Sequence, residues 1–200
     1  PAPPKWLEDA VFYQIYPQSY ADTNGDGIGD LQGIINKLDY IKSMGFNALW
    51  LNPIFDSPFF DAGYDVRDYY KVAPRYGKNE DVKRLCQEAK KRGIRVCLDL
   101  VPGHTSMDCE WFVKSAKKVK NDCSDRYIWT DKDTLPNKKF VKNDKRFERP
   151  GNFMKNFFDI QPALNYGYAN PNPKNAWEQP VTAPGPQKNR EELFKIIDHW

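Results

Sequence analysis

The sequence is poor in the residue types from which metal centres and disulfide scaffolds are usually built. Its 200 residues include two histidines and four cysteines, and no two cysteines form a C-x-x-C pair. A zinc site is therefore not expected. The patterns around Cys86 and Cys97 predict small buried hydrophobic side chains. Pairing of Cys109 with Cys123 stays open as an arrangement that an exported protein would allow.

A strong charge bias and a long apolar run are lacking as well. The net charge is +3, with lysine and arginine scattered among acids, which provides no electrostatic basis for binding nucleic acid or a membrane surface. No apolar stretch approaches the roughly 18 residues of a membrane span, and no signal peptide is visible. We expect no nucleic-acid or membrane partner and a cytoplasmic rather than secreted protein, with removal of a leader before Pro1 left open.

What the sequence does contain is a regular alternation of strand and helix patterns up to about residue 101. Apolar runs predict strands, and apolar residues at helical spacing predict helices between them. The strands are predicted at Val11–Tyr16, Ala48–Leu51 and Arg95–Val101, and the helices at 31–41 and 79–92 with Asn79 as a cap. Loops are short after the helices and long after the strands, a pattern typical of a β/α barrel.

The alternation breaks between about Thr105 and Lys188, where proline, asparagine, glycine and aromatic residues are frequent. A short helix is predicted at Trp111–Val113, and short strands are predicted at Tyr127–Trp129 and Asn156–Phe158. We therefore expect a small subdomain in this stretch rather than a long structureless loop.

The last residues predict one more helix. Asn189 and Glu192 have the spacing of a capping box, and apolar residues follow at helical spacing up to Trp200. A barrel of eight β/α units needs about 250 residues, and only three units are visible. The pattern favours the front part of a longer chain over an open three-stranded α/β protein.

A loop after the first strand carries oxygen-bearing side chains at alternating positions. The oxygens belong to Asp22, Asn24, Asp26 and Asp30, with the carbonyl of Ile28 between the last two. Calcium prefers several oxygen ligands at about 2.3–2.6 Å, so the loop predicts a structural Ca²⁺ site. It is not an EF-hand, because Gly33 stands where an EF-hand has glutamate. The alternative is a metal-free turn in which Asp30 caps the next helix.

Polar residues follow the second and third strands, at the end of a barrel where ligands bind. Asp61 and Tyr64 share one loop; the carboxylate can accept hydrogen bonds from sugar hydroxyls and the ring can stack on a pyranose, whereas the alternative is an Asp-rich surface turn. His104 can donate to a ligand oxygen or be a satisfied structural histidine. Asp99 lies in an apolar strand, and because a buried carboxylate must be paired, it is predicted to orient a cationic neighbour.

Together these stretches resemble the α-amylase family of glycoside hydrolases (glycoside hydrolase family 13), in particular its oligo-α-glucosidase branch. The resemblance runs from about Trp6 to Trp200. The matching stretches are Val11–Pro17, the Asp22–Asp30 loop with Leu31, Gly33 and Ile34, Gly63–Asp65, Asp99–Val101 with His104–Ser106, and Gln161–Pro162 with Leu164–Asn165.

The resemblance implies an α/β fold, the N-terminal portion of a (β/α)8 TIM barrel with an irregular B domain inserted after the third strand. Residues 1–104 would then form the first three β/α units of the catalytic barrel, residues 105–188 the B domain, and residues 189–200 a helix returning to the barrel. The remainder of the barrel would lie beyond Trp200.

The resemblance also implies roles for individual residues. Asp99 would brace the catalytic arginine. The substrate-binding residues would be Asp61, Tyr64, His104 and Gln161, and the calcium ligands Asp22, Asn24, Asp26, Ile28 and Asp30.

Two positions depart from the family pattern. Gly103 stands where the family usually has asparagine, so a second calcium site at the base of the B domain is not implied. Ala163 stands where the oligo-α-glucosidases usually have aspartate after Gln161 and Pro162. Linkage specificity is therefore not carried over from the resemblance.

The resemblance further implies that the complete enzyme hydrolyses α-glucosidic bonds in α-glucans or oligosaccharides by a retaining mechanism. The catalytic carboxylates would lie beyond Trp200, so no catalytic residue is assigned in this stretch and the 200 residues alone are expected to be inactive. A transglycosylase or a sucrose- or trehalose-type isomerase on the same scaffold remains as an alternative, as does a catalytically silent sugar-binding or transporter-associated relative.

Overall fold

A computed structural model describes residues 2–200, which divide into two compact units. The first unit contains the residues up to Asp56 together with Lys71–Leu100, and the second contains Ser57–Tyr70 together with Val101–Trp200. The strands are β1 (Phe12–Ile15), β2 (Ala48–Leu51), β3 (Phe55–Asp56), β4 (Asp68–Val72), β5 (Arg95–Leu98), β6 (Phe140–Val141) and β7 (Phe153–Met154). The α-helices are α1 (Leu31–Asn36), α2 (Leu38–Ser43), α3 (Asn79–Lys91), α4 (Glu110–Ser115) and α5 (Pro184–His199).

The first unit is built on a parallel sheet with the strand order β1-β2-β5. Phe12 of β1 lies beside Ala48 of β2, which in turn lies beside Arg95 of β5. The chain passes through α1 and α2 between β1 and β2, and through α3 before β5. The predicted alternation of parallel strands and helices is confirmed, and it brings the carboxyl ends of the strands to one edge of the sheet.

The helical pattern over residues 31–41 forms two short helices instead of one. They are separated at Lys37, which has a φ of −101° and a ψ of 2°. The N–H of Lys37 donates to the carbonyl of Ile34 at 3.0 Å, which is the tighter turn of a 3₁₀ helix. Leu38 and Ile41 stay fully buried after the break. The apolar spacing therefore predicted the buried face correctly but not the interruption.

The predicted cap of α3 is wrong. Lys78 precedes the helix, and Asn79 is its first residue. The Oδ1 atom of Asn79 accepts a hydrogen bond from the N–H of Val72 at 2.9 Å instead of bonding within the first turn. The carboxylate of Asp81, in the first turn, accepts a hydrogen bond from the N–H of Lys78 at 2.8 Å. This bond provides an acceptor for a backbone N–H at the start of the helix.

Two burial predictions in the first unit also differ from the structure. Cys86 is exposed, because the buried face of α3 consists of Val82, Leu85 and Ala89. Cys97, in β5, is half-buried. The third parallel strand ends at Leu98, earlier than predicted. Asp99 therefore lies just beyond the strand and is half-buried rather than enclosed.

An aromatic core holds the second unit together. Phe112 of α4 is fully buried, and the rings of Tyr127, Phe147 and Phe153 meet it edge-on at centroid distances of 5.1, 5.4 and 5.0 Å. Trp129 stacks on Phe112 at 5.8 Å. Edge-on and offset contacts are the arrangements that aromatic rings prefer. The stretch that breaks the strand–helix alternation thus contains a packed core around α4.

Short antiparallel contacts complete the second unit. β6 pairs with β7, with Phe140 beside Met154, whereas the strand predicted at Tyr127–Trp129 is reduced to isolated bridges. The strand predicted at Asn156–Phe158 is wrong, because these residues form a tight loop in which the N–H of Asn156 donates to the carbonyl of Gln161 at 3.0 Å. The strand in this region, β7, instead ends at Met154, shortly before the loop.

The last helix starts earlier than predicted. α5 begins at Pro184, with Ala183 before it, and proline suits a first helical turn because its missing N–H would be unpaired there in any case. Asn189 therefore lies within the helix and is 2% exposed, so the capping-box prediction is wrong. The domain boundary after residue 104 stays a prediction.

The disulfide that was left open is absent from the described residues. Cys109 and Cys123 are both free and buried. Burial raises the pKa of the Cys109 thiol to about 11, and a thiol that stays protonated is a poor nucleophile. These two cysteines are part of the packing of the second unit.

Candidate functional site

The loop that carries Asp61 and Tyr64 is folded around a buried carboxylate in the second unit. Asp65 is fully buried and accepts hydrogen bonds from the N–H groups of Phe60 and Asp61 at 3.0 and 3.1 Å, and from the hydroxyl of Ser57 at 3.1 Å. Several N–H donors stabilise a buried carboxylate without a cation. The anchored loop leaves the side chains of Asp61 and Tyr64 half-buried.

The turn between these two residues depends on left-handed backbone. Ala62 has a φ of 52° and Gly63 a φ of 94°, and the N–H of Tyr64 donates to the carbonyl of Asp61 at 2.8 Å. Positive φ is accessible to glycine at no steric cost, whereas for alanine it costs about 1–3 kcal/mol. The Gly63–Asp65 motif is thus a turn whose shape sets where Asp61 and Tyr64 point.

His104 is enclosed in the second unit and is 3% exposed. Its Nε2 lies 2.8 Å from the carbonyl oxygen of Tyr64, and its Nδ1 lies 3.0 Å from the amide nitrogen of Asn156. Burial lowers the pKa of His104 below its ordinary value, although the Tyr64 carbonyl and the nearby carboxylates of Asp61 and Asp65 act in the opposite direction. Both ring nitrogens of this neutral histidine have protein partners.

Gln161 joins the inserted stretch to the Asp61 loop. Its side chain is fully buried, and its Nε2 donates to Oδ2 of Asp61 at 2.6 Å across 100 residues of sequence. Its Oε1 accepts from the N–H of Phe158 at 3.1 Å. The structure therefore brings Asp61, Tyr64, His104 and Gln161 into one cluster, with the Gln161 amide behind Asp61.

Three phenylalanines flank this cluster at the surface. Phe60, Phe157 and Phe158 are 75%, 68% and 57% exposed, and the ring of Phe157 meets that of His104 edge-on at a centroid distance of 5.7 Å. Apolar rings next to polar groups are typical of surfaces that bind ligands. The sequence interpretation missed Phe157 and Phe158 because both were assigned to a strand.

Asn156 is the other residue that the sequence interpretation missed. It is far from His104 in the sequence and belongs to no recognisable motif. Only the loop of residues 155–162 brings its amide to the histidine. The adjacent pair of Phe157 and Phe158 was the one available signal, since exposed aromatic pairs seldom serve packing alone.

Asp99 and the Asp22–Asp30 loop belong to the first unit. The N–H of Asp99 donates to the carbonyl of Leu51 at 3.1 Å, which continues the β2–β5 pairing by one residue. Its predicted role beside a catalytic arginine stays a prediction.

In the Asp22–Asp30 loop the carboxylates organise the backbone. Asp22 accepts hydrogen bonds from the N–H groups of Asn24, Gly25 and Gly27 at 3.0, 2.9 and 2.8 Å. These hydrogen bonds lower the pKa of the exposed Asp22 carboxyl, so it stays ionised. The bond from the N–H of Gly27 has the largest effect. Asp26 Oδ1 likewise accepts from the N–H of Ile28 at 2.8 Å.

Asp30 closes the loop and starts α1. It accepts from the N–H of Gly33 at 2.8 Å as an N-cap and from both the N–H and the hydroxyl of Thr23. A Cβ atom at Gly33 would overlap the carbonyl oxygen of Ala21, which explains why the position that holds glutamate in an EF-hand is glycine here. The cap that was the alternative to a metal ligand is present.

The donor chemistry of this loop suits a hard cation. A carboxylate offers about four lone-pair sites, so the bonds to backbone N–H groups leave acceptor capacity on Asp22 and Asp26. Within residues 2–200, no three histidine, cysteine, aspartate or glutamate side chains are gathered as a metal-binding group.

Helices long and apolar enough to cross a membrane are absent from the part of the chain that the structure describes.

Comparison with known proteins gives a family match. A family model described as alpha amylase, catalytic domain, matches residues 14–183. The chain is 41% identical over 204 residues to an oligo-1,6-glucosidase from Heyndrickxia coagulans, covering 98% of this chain and 34% of the relative. It is 39% identical over 198 residues to a glucan 1,6-alpha-glucosidase from Streptococcus pneumoniae serotype 4, with the same two coverages of 98% and 34%.

Solved structures agree. An isomaltulose synthase from Erwinia rhapontici NX5, crystallised as a mutant with sucrose, matches 100% of this chain and 34% of its own at a TM-score of 0.82 and 40% identity. The trehalulose synthase of Pseudomonas mesoacidophila MX-45 matches with a TM-score of 0.82 at 38% identity, again over 100% of this chain and 34% of its own. The chain spans about a third of the length of the relatives that it matches. The predicted fold class, the front of a barrel with an inserted B domain, is confirmed.

Proposed function

The chain belongs to the α-amylase family of glycoside hydrolases, and on that premise we propose that the complete protein hydrolyses α-glucosidic bonds in glucose oligosaccharides or α-glucans. The observation that carries the proposal is the cluster of Asp61, Tyr64, His104 and Gln161, which is held by the 2.6 Å hydrogen bond from Gln161 to Asp61. Its polar groups and flanking rings suit a pyranose, which offers hydroxyls at its rim and C–H groups on its faces.

Each residue of the cluster has a separate task in this proposal. Asp61 accepts hydrogen bonds from sugar hydroxyls, since an ionised carboxylate has no donor of its own. Tyr64 supplies a flat ring. His104 holds the Tyr64 carbonyl and Gln161 holds Asp61, so both act first on the loop that meets the sugar. A firmly oriented loop retains the sugar at the reacting position with little loss of entropy on binding.

The chemical step belongs to carboxylates outside residues 1–200. A retaining glycosidase needs a nucleophile and an acid/base carboxyl about 5–5.5 Å apart. The nucleophile forms a covalent glycosyl-enzyme, and water then attacks it with help from the other carboxyl. The cluster described above binds and orients; it does not perform these steps.

The test is turnover by the complete protein. Glucose release from isomaltose and maltotriose is expected, and replacement of Asp61 by alanine should lower kcat/KM about 10- to 100-fold, which corresponds to the loss of one or two hydrogen bonds to a charged group. Asp133→Ala, at an exposed position of the second unit, is the matched control and should be neutral. The 200-residue chain alone should release no glucose.

An active complete protein whose D61A variant behaves like D133A would contradict the assigned site. Absence of turnover on every α-glucoside would contradict the function. A second candidate, isomerisation of sucrose, is favoured by the likeness to the isomaltulose and trehalulose synthases. Product analysis separates the two, because a hydrolase releases free glucose and fructose from sucrose and an isomerase releases a new disaccharide.

We also propose that the Asp22–Asp30 loop holds a structural Ca²⁺. The ligands would be Asp22, Asn24, Asp26 and Asp30, with the carbonyl of Ile28. The ion would join side chains that otherwise bond within the loop and to the first turn of α1, and would stiffen the connection from β1 to α1. Support comes from the all-oxygen donor set and from the ionised state of Asp22.

A cytoplasmic location is part of the same proposal. The buried Cys109 and Cys123 thiols are free, which fits a reducing compartment. Detection of a Cys109–Cys123 disulfide by mass spectrometry of the protein isolated from its source would contradict it.

A further inference from the structure

The side-chain amide of Asn156 fills the space into which a side chain at position 103 would extend. A Cβ atom built on Gly103 would lie 2.7 Å from the Nδ2 atom of Asn156, and the next nearest atom, Cγ of the same residue, would lie at 3.9 Å. A contact of 2.7 Å is closer than a carbon and an amide nitrogen tolerate. The backbone of Gly103 needs no positive φ, so a side chain at this position would be opposed by the Asn156 amide and not by the conformation of the chain.

The amide that fills this space completes the hydrogen bonding of His104. A carbonyl oxygen, that of Tyr64, lies 2.8 Å from Nε2 and can only accept, so Nε2 carries the proton. The Nδ1 atom of the neutral ring must then accept, and the NH2 group of Asn156 at 3.0 Å donates to it. One tautomer and one ring plane satisfy both bonds at once.

Asn156 is itself held by the loop that carries Gln161. The N–H of Asn156 donates to the Gln161 carbonyl at 3.0 Å. The neighbouring residues Lys155 and Pro162 are paired in an isolated antiparallel β-bridge. On the other side, the carbonyl of Gly103 accepts from the N–H of Leu164 at 3.0 Å. Asn156 and Gln161 thus belong to the same loop. The side chain of Asn156 contacts His104, and that of Gln161 contacts Asp61.

We propose that Asn156 is a positioning residue of the substrate site, which acts by fixing the tautomer and orientation of His104, and that Gly103 exists to admit its amide. This inference rests on the proposed function. Through His104 the amide of Asn156 restrains the Tyr64 carbonyl, and Gln161 restrains Asp61 from the same loop. The B-domain loop therefore holds both ends of the sugar-facing turn.

A double-mutant cycle in the complete protein tests the shared space. Asn156→Ala removes the donor and should raise KM for isomaltose about tenfold, the loss of one hydrogen bond, while kcat changes less than about twofold. Gly103→Ala should have a similar effect, because its Cβ displaces the amide. Gly103→Ala in the Asn156→Ala background should add nothing further, because the methyl group then enters vacated space.

Nitrogen NMR of His104 gives a readout that a merely structural role would not move. In the wild type the Nε2–H tautomer is expected, with Nδ1 unprotonated. In Asn156→Asp the new carboxylate can only accept, so Nδ1 should also carry a proton and the ring should become an imidazolium at neutral pH. Asn170→Ala, at an exposed position of the same unit, is the control and should leave both KM and the His104 signals unchanged.

Additive effects of Gly103→Ala and Asn156→Ala, or an unchanged His104 tautomer in Asn156→Asp, would overturn the inference. An active wild type with an Asn156→Ala variant of unaltered KM would overturn it as well. An inactive wild type with the expected NMR result would instead contradict the proposed function and leave the His104 arrangement standing. The spectra also report on variants too unstable for kinetics, because the histidine signals show directly whether the fold is intact.

Discussion

At the scale of single residues, the amide of Gln161 is the contact that joins the loop of residues 155–162 to Asp61. It is fully buried, it donates to Asp61, and it accepts from the backbone of Phe158. A side-chain amide carries both a donor and an acceptor without a charge. Neither leucine nor glutamate can replace it, and the two fail in different ways.

Replacement of Gln161 by leucine should lower kcat/KM about tenfold, because Asp61 loses one partner and the N–H of Phe158 loses its acceptor. Replacement by glutamate should cost more at neutral pH, because two carboxylates then meet at hydrogen-bond distance. Such a pair takes up a shared proton at a higher pH than an isolated carboxyl. The activity of the Gln161→Glu variant should therefore recover as the pH is lowered toward 5.

The measurement is kcat/KM against pH for the wild type and both variants. Gln161→Leu is the matched control, since it removes the amide without adding an ionisable group and should follow the wild-type profile at a lower level. A Gln161→Glu profile parallel to that of Gln161→Leu would show that Asp61 and residue 161 do not share a proton.

Individual site residues could be predicted only where a motif marks them. Asp61, Tyr64 and His104 stand in loops that follow strands, within short recognisable patterns, and the structure gathers them with Gln161. Asn156 has no such pattern, since its contact with His104 spans 52 residues and depends on the course of a loop. Periodicity also carries no information about which ring nitrogen of His104 meets which partner.

At the scale of elements, a buried asparagine links α5 to the rest of the second unit. Asn189 donates to the carbonyls of Arg126 and Asn165, each at 2.8 Å, and accepts from the Nε of Arg126 at 2.8 Å. The guanidinium of Arg126 lies 3.9 Å from the ring centroid of Trp111. A cation–π contact of this kind partly compensates the cost of burying the charge.

Replacement of Asn189 by alanine should lower the free energy of unfolding by about 2–4 kcal/mol, because a buried cationic N–H and two buried carbonyls lose their partner. Gln187→Ala, at an exposed position on the same helix, should change stability by less than about 0.5 kcal/mol. Chemical denaturation of the complete protein, followed by tryptophan fluorescence, compares the two. Equal stability of the variants would show that α5 is held by its apolar contacts alone.

The elements themselves were predictable where apolar spacing is regular. β1, β2, β5 and α3 follow from runs and helical spacing, because burial on one face enforces that spacing. The capping roles predicted for Asn79 and Asn189 were wrong for a common reason. Asparagine bonds backbone groups in many settings, so a buried asparagine that joins two segments has the same local sequence as a cap.

At the scale of the whole molecule, the calcium proposal concerns the stability of the protein. Removal of Ca²⁺ by EGTA should lower the Tm of the complete protein by a few degrees, since a ligand at about 100 times its Kd contributes about 2.7 kcal/mol to the folded state. Scanning calorimetry with and without added Ca²⁺ measures the change. Asp26→Asn should abolish the response, and Asp133→Asn, far from the loop in sequence, should retain it.

A Tm that is insensitive to EGTA in the wild type would contradict the calcium site and would leave Asp30 as a helix cap only.

The fold class was predictable from sequence because three parallel strands and their helices repeat one pattern. The packing of residues 105–188 was not, since its core depends on aromatic contacts such as those of Phe112 that join distant segments. Such contacts have no period along the chain.

The order of the first sheet has a practical consequence. Among the described residues β1 and β5 each pair with a strand on one side only, so their outer backbone N–H and C=O groups face no neighbouring strand. Val11 and Phe12, at the β1 edge, are 51% and 38% exposed. Open, apolar strand edges recruit further strands and promote aggregation. Residues 1–200 handled as a separate polypeptide are therefore expected to aggregate through these edges.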